Sequence, residues 1–284
     1  MTADEAVGQR AMTVRVAGAE LFYTTRGRGP TCLVLSAIGT QPYERQIPAA
    51  LDEHLRLCFV DLRGAGRSTG EATDLTFDVL AEDLEAVCAD LGVSEVVVLG
   101  HSILGVLAIE HARRRPAAVS HVIAVGAPPT GDMARVLAIG KPFFEEHASE
   151  ERKRILRDNM AALPPGAAPS QMVFAQTPMR FFDPRFDAAP LFEGAVTKPA
   201  VLAHVMGTLV RGWDVTAGAG AARAPLLLAH GRHDYVVPHV MWAGVVDTLP
   251  AATLEIFERS GHQPFVEEPD RFTAVVADWM GRHP

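Results

Sequence analysis

The stretch Val96-Val97-Val98-Leu99-Gly100-His101-Ser102-Ile103-Leu104-Gly105 decides how this chain is read. Its opening run of Val and Leu is the pattern of a parallel strand covered on both faces. Gly100 leaves room for a very tight turn with Ser102 at its tip, where the serine backbone is strained. Helix formers then run from Leu104 to about Arg114, ahead of Pro116. A strand, a sharp turn and a helix around a Gly-x-Ser-x-Gly-like pattern are the setting in which a serine hydroxyl stands out as a nucleophile. The helix N-terminus beside it offers backbone N–H groups to a negative charge. The plainer alternative is a serine that only caps a helix.

Working outward, residues 12–16 and 20–25 alternate in polarity around Ala17-Gly18-Ala19 and predict an antiparallel hairpin. Cys32-Leu33-Val34-Leu35 predicts a buried parallel strand, with the loop Ser36-Ala37-Ile38-Gly39-Thr40 after it. A short amphipathic helix is expected over 47–55 and a strand over 56–60. A longer helix is expected over 76–91, with Leu80, Leu84, Val87, Cys88 and Leu91 on one side and Gly92 at its end. Residues 119–125 form the next strand. Between 128 and 221 the character changes to helical pieces broken by Pro164-Pro165-Gly166, Pro178, Pro184 and Pro190, with one charged helix capped by Ser149. Alternation resumes with a strand at 225–231, a helix at 239–249, a strand at 253–257 and a terminal helix from Pro269 to Met280. Eight strands alternating with helices imply an α/β fold with a doubly wound, mostly parallel sheet. The core is expected at 1–127 and 222–284, with 128–221 inserted into it.

A chain of 284 residues suits one such domain plus its insertion. Hydrophobic residues make up 48% and charged residues 21%, the profile of an ordinary soluble globular protein. A net charge of −8 argues against nucleic acid or an anionic membrane surface as partner. Cys32, Cys58 and Cys88 lie far apart in apolar segments and read as buried free thiols. No metal-ligand spacing and no cofactor motif is present, so none is expected. The segment 1–10 is polar, with acidic residues and no apolar stretch of a signal peptide. A cytoplasmic monomer or homodimer acting on a small molecule is the expectation.

Three further features carry chemistry. Asp61-Leu62-Arg63-Gly64-Ala65-Gly66-Arg67-Ser68 is a glycine-rich turn in which Asp61 and Arg63 can pair. Asp234 follows the strand ending at Gly231, and His262 stands in Ser260-Gly261-His262-Gln263-Pro264 after the last strand. Ser102, Asp234 and His262 thus each sit just beyond a predicted strand, at the sheet edge where functional loops gather.

With these motifs the chain resembles the α/β-hydrolase superfamily over nearly its whole length, in particular its capped serine hydrolases of the proline iminopeptidase-like and enol-lactone hydrolase-like branches. The order Ser102, Asp234, His262 is the superfamily's order for nucleophile, acid and base. The resemblance implies that 128–221 is a helical cap, and that the backbone N–H groups of Ile38 and Ile103 form the oxyanion hole. Two departures stand out. Leu104 occupies a position the family usually gives a small residue, so its side chain has to point away from the turn. Ser36-Ala37 replaces the usual His-Gly pair, though enol-lactone hydrolases carry the similar Asn-Ser-Leu-Gly-Thr there. Some of the inserted aromatics, with Phe144, Phe181, Phe182 and Trp213 as candidates, are expected to line an apolar substrate pocket; their plainer role is the insertion's own core.

The implied function is hydrolysis of a small, fairly apolar carboxylic ester, lactone or amide through an acyl-enzyme on Ser102. Alternatives on the same residues are an aminopeptidase using Glu145, Glu146 or Glu193 to hold a substrate amine, a carbon–carbon hydrolase or lyase, and a slow-turnover ligand receptor. Among rival histidines, His101 and His230 read as structural, and His233 lacks the context of the terminal loop.

Overall fold

The computed structural model describes residues 10–217 and 223–283. Residues 1–9 of the polar start and the boundary expected at 221/222 therefore lie outside the described residues. Eight strands form one sheet: β1 (Arg10–Val16), β2 (Ala19–Gly27), β3 (Thr31–Ser36), β4 (Arg56–Asp61), β5 (Val96–His101), β6 (Val119–Val125), β7 (Leu226–Gly231) and β8 (Ala252–Phe257). Their order across the sheet is β1-β2-β4-β3-β5-β6-β7-β8. The β1/β2 and β2/β4 pairs are antiparallel, and every later pair is parallel. β3, β5 and β7 are buried along their whole lengths, which is why they read as unbroken apolar runs. β1 is the exposed edge and alternates.

Helices α1 (Thr40–Gln46), α2 (Phe77–Leu91) and α3 (Ile103–Arg114) precede β6. α4 (Met133–His147), α5 (Glu150–Ala161), α6 (Pro169–Ala175), α7 (Thr177–Arg180) and α8 (Pro199–His204) lie in the insertion between β6 and β7. α9 (Pro264–Glu267) and α10 (Pro269–Arg282) close the chain. Local chemistry sets the ends. The Thr76 hydroxyl accepts from the Val79 N–H at the start of α2, and Gly92 at φ 70° ends it. The Ser149 hydroxyl caps α5 in the same way. Among the described residues no helix is long and apolar enough to cross a membrane.

Three expectations are corrected. The helix expected over 47–55 is instead α1, starting earlier, followed by a 3-10 turn at Ala49–Glu53. Pro48 stops α1 and Pro42 is tolerated in its first turn. The helix expected over 239–249 is two 3-10 turns, His239–Trp242 and Val246–Thr248, separated by Gly244 at φ 72°. Arg63 does not pair with Asp61. It makes two bonds, 2.6 and 3.0 Å, to Asp83 on α2, a partner 20 residues away. Asp61 instead accepts the Arg67 N–H at 2.8 Å, and its other oxygen is buried without a partner.

The strand order reverses between β3 and β5, since β4 lies on one side of β3 and β5 on the other. Such a reversal opens a crevice at the C-terminal ends of the strands. The loop carrying Ile38 and the turn carrying Ser102 leave the sheet on either side of that crevice.

Candidate active site

Ser102 has φ 56° and ψ −130°, and it is the one non-glycine with positive φ among the described residues. That backbone is costly and is held by its surroundings. Its N–H donates to the Val125 carbonyl at 2.7 Å, and its carbonyl accepts from Gly105 at 2.9 Å. Glycine is required at 100, because a Cβ there would lie 2.2 Å from the Leu104 carbonyl oxygen. Gly105 plays the part of the usual small residue one position late: a Cβ there would lie 2.4 Å from the Ala127 Cβ. Although Ser102 is the N-cap of α3, its hydroxyl makes no capping hydrogen bond. The capping alternative therefore fails, and the hydroxyl is left to the cavity it faces. Leu104, expected to point away, is buried and forms part of that cavity's wall.

Asp234 and His262 are almost fully buried. The His262 Nδ1–H donates to Asp234 Oδ2 at 2.7 Å. Asp234 Oδ1 accepts two N–H groups, from Val236 and Val237, both at 2.9 Å. Those amides fix the carboxylate in one orientation. The His262 backbone is fixed as well: its N–H donates to the Arg180 carbonyl at 2.6 Å. Its carbonyl accepts His101 Nε2 at 3.0 Å. Because a carbonyl only accepts, His101 carries its proton on Nε2, and its Nδ1 accepts from the Tyr43 hydroxyl at 3.2 Å. Burial pulls the His101 pKa well down, so the ring stays neutral. Gly126, at φ 55°, passes so close to His262 that a Cβ there would lie 2.9 Å from Nδ1.

Ser102 and His262 line one cavity of about 290 Å³. Ile38 and Ile103 also line it. The Ile103 N–H is the first of α3 and has no intrahelical acceptor. The Ile38 N–H makes a long bond, 3.2 Å, to Ser36 Oγ, whose own proton goes to the Gly39 carbonyl at 2.7 Å. Ser36 thus clasps the loop where the family usually carries a His-Gly pair. A second chamber of about 670 Å³ adjoins the first and shares Ile38, Val173, Phe192 and Leu202 with it. Three of those four residues come from the insertion.

The four aromatics expected at the pocket lie elsewhere. Phe144 packs with Ala148 and Tyr235 in a separate small cluster. Phe181 stacks on Phe186 with ring centres 4.5 Å apart. Phe182 is partly exposed, beneath the Arg259 guanidinium. Trp213 joins the main core and donates its indole N–H to Glu110 at 3.0 Å. Buried apolar rings serve a core and a pocket equally well, so composition alone did not separate these roles. The wall residue missed outright is Arg180, at the end of α7. Its signal in the sequence was a single cation among Met179, Phe181 and Phe182. Of the rival histidines, His230 is fully buried and packs edge-on to Trp242, and burial pulls its pKa down to about 4.

Comparison with known proteins agrees with this architecture. Residues 35–269 match the family model described as the alpha/beta hydrolase fold. The chain is 29% identical to the AB hydrolase superfamily protein YclE of Bacillus subtilis (strain 168), covering 96% of this chain and 99% of that one. It is 30% identical to a pimeloyl-[acyl-carrier protein] methyl ester esterase of Sodalis glossinidius (strain morsitans), covering 91% of this chain and 97% of the relative. Among solved structures, an alpha/beta fold family hydrolase from Bacillus anthracis str. Sterne superposes with a TM-score of 0.75 at 20% identity, covering 95% of this chain and 99% of the other. An eight-stranded, mostly parallel sheet, a serine on a strained strand-to-helix turn, and a family match over most of the sequence together make this chain an enzyme of the α/β-hydrolase superfamily.

Proposed function

We propose that the protein is a serine hydrolase of small carboxylic esters or lactones, with Ser102 as nucleophile, His262 as base and Asp234 as the carboxylate that orients it. The observation that carries this reading is the 2.7 Å bond between His262 Nδ1 and an Asp234 whose other oxygen is held by two amides. That bond puts the proton of neutral His262 on Nδ1 and leaves Nε2 free to accept.

In the proposed reaction Ser102 Oγ bonds to the substrate carbonyl carbon as its proton passes to His262 Nε2. The carbonyl electron pair moves onto oxygen, where the N–H groups of Ile103 and Ile38 stabilise it. Each such donor is worth roughly 3 kcal/mol in the transition state. The Ile38 N–H turns from Ser36 Oγ toward the oxyanion, giving up a long, weak bond. Collapse breaks the bond to the leaving oxygen, which takes the proton from His262. Water then attacks the acyl-enzyme, again with His262 as base, and releases the acid and Ser102.

The insertion at 128–221 serves as a cap that shapes the outer chamber for the apolar part of the substrate. Ester or lactone chemistry is favoured over release of an N-terminal residue from a peptide. A substrate ammonium needs a carboxylate near the serine, yet no Asp or Glu is among the residues lining the cavity with Ser102. Glu145 and Glu146 are exposed to solvent, and Glu193 lines the outer chamber rather than the cavity that holds Ser102. The relatives named as esterases point the same way. The test is initial-rate hydrolysis of 4-nitrophenyl butyrate by wild type and Ser102→Ala, with circular dichroism as the folding control. Turnover by wild type and background rates in the variant are expected. A folded variant that retains a tenth or more of the activity removes Ser102 from the role.

A further inference from the structure

The insertion does more than roof the cavity. Its segment 178–182, at the end of α7, runs against the two loops that carry Asp234 and His262. The Tyr235 N–H, next to Asp234, donates to the Met179 carbonyl at 3.0 Å, and the His262 N–H donates to the Arg180 carbonyl at 2.6 Å. Glu267 makes a third tie. Its carboxylate accepts the Phe182 N–H at 2.6 Å through one oxygen and the Gly261 N–H at 2.7 Å through the other. The approach is so close that a Cβ at Gly261 would lie 2.2 Å from the Arg180 carbonyl oxygen. Both loops therefore take their positions from the insertion as well as from their own strands.

A helix of four residues does not hold such a segment in place alone, because its last carbonyls have no intrahelical donor. The Met179 and Arg180 carbonyls go to the two loops. Those of Pro178, Phe181 and Phe182 converge instead on one guanidinium, that of Arg152 on α5. Its Nη1 donates to Pro178 at 2.6 Å and to Phe181 at 2.7 Å, and its Nη2 donates to Phe182. Arg154 and Arg157 on the same helix are exposed, whereas Arg152 is buried. Its guanidinium carbon lies 5.4 Å from the centre of the Tyr235 ring, the residue whose N–H the segment receives. A rigid planar fork can hold three carbonyls in one arrangement, which an ammonium on a flexible stem cannot. Buried carbonyls deprived of their donor are costly, so without Arg152 the segment has to shift.

We propose that Arg152 is a positioning residue for the reaction: by fixing segment 178–182 it sets where the Asp234 and His262 loops lie, and with them the reach of His262 Nε2 to Ser102 Oγ. Arg152 lines neither the cavity that holds Ser102 nor the outer chamber. Its loss therefore acts on the alignment of the base rather than on the walls that bind substrate. A reacting group displaced by about 1 Å costs on the order of 100-fold in rate.

This inference deepens the serine-hydrolase reading and rests on it for turnover. Wild type, Arg152→Ala, Arg152→Lys and Ser102→Ala are compared on 4-nitrophenyl butyrate, with circular dichroism as the folding control. In Arg152→Ala kcat should fall by about 10- to 100-fold while KM stays within about threefold. Arg152→Lys, which keeps the charge without the fork, should fall between that variant and wild type. Proton NMR reads the same alignment without any reaction. The low-field signal of the proton between His262 and Asp234 should shift or broaden in Arg152→Ala and stay in place in Ser102→Ala. An unchanged kcat in folded Arg152→Ala, a rise in KM alone, or a low-field proton that does not move each overturn the proposal. If Ser102→Ala keeps the wild-type rate, the serine reading fails, and the NMR signal alone decides whether Arg152 aligns the histidine. Should neither Arg152 variant fold, hydrogen exchange on the wild type decides. The amides of Tyr235 and His262 should then open together with those of Phe181 and Phe182 as one unit, and fast exchange at either loop beside a protected segment overturns the proposal.

Discussion

Replacing Asp234 by asparagine exchanges one oxygen for an NH2 group and tests the site more sharply than deleting any residue. The carboxylate has one oxygen on two amides, Val236 and Val237, each at 2.9 Å, and the other on His262 Nδ1 at 2.7 Å. An asparagine here has two orientations. With its NH2 toward the amides it loses two hydrogen bonds and buries donors against donors, at about 1–3 kcal/mol for each unsatisfied group. With its carbonyl oxygen on the amides, the NH2 faces His262. The second orientation is favoured by several kcal/mol. His262 Nδ1 must then accept, so the imidazole proton moves to Nε2, the atom that should take the Ser102 proton. The wrong tautomer in a triad costs about 10⁴ in kcat, close to 5.5 kcal/mol of transition-state stabilisation. The fold should survive, because the two amide contacts and the side-chain volume are kept. The assay is hydrolysis of 4-nitrophenyl butyrate by Asp234→Asn beside wild type, with thermal melts of both. A loss below tenfold in a folded variant would refute the assignment of Asp234 as the orienting group.

Gly126→Ala should lower kcat/KM by tenfold or more with a smaller effect on stability. The new methyl would lie 2.9 Å from His262 Nδ1 and 3.0 Å from its carbonyl oxygen, at a φ of 55° that itself costs about 1 kcal/mol; unchanged rates would show that the base tolerates displacement. Asp61→Asn should change the pH dependence of stability. Burial raises the Asp61 pKa from 3.8 to about 7, so the folded state holds the proton more tightly than the unfolded chain. Its stabilising contribution is therefore complete below about pH 4 and is lost as pH rises through 7, by roughly 4 kcal/mol in all. The melting temperature of Asp61→Asn should gain on that of wild type between pH 5 and 8, and parallel profiles would contradict this.

The fold was legible where local pattern and tertiary role coincide. The apolar runs of β3, β5 and β7 have a single use, a strand covered on both faces, and Thr76, Ser149 and Gly92 mark helix ends through bonds to their own neighbours. The placement of Ser102, Asp234 and His262 was legible because each follows a strand, β5, β7 and β8, at one edge of the sheet. Short segments were harder. Prolines and Gly244 divide 40–55 and 239–249 into pieces whose boundaries depend on what they pack against. Long-range partners were invisible for the same reason. Nothing near Arg63 announces Asp83, and nothing near Phe181 announces Phe186 rather than a substrate. Arg180 shows the converse: a charge in an apolar setting was visible, but that Gln176 is its side-chain partner and that it lines the cavity emerge only when the surrounding elements are in place.

Peptide-resolved mass spectrometry of the protein after reaction with a fluorophosphonate measures the nucleophile directly. One phosphonate per chain, on the peptide containing Ser102, is expected within minutes. Ser102→Ala should take up none, and Asp234→Asn should react far more slowly. Undiminished labelling of Ser102→Ala, or a modification located on any other residue, would contradict a hydroxyl activated at this turn.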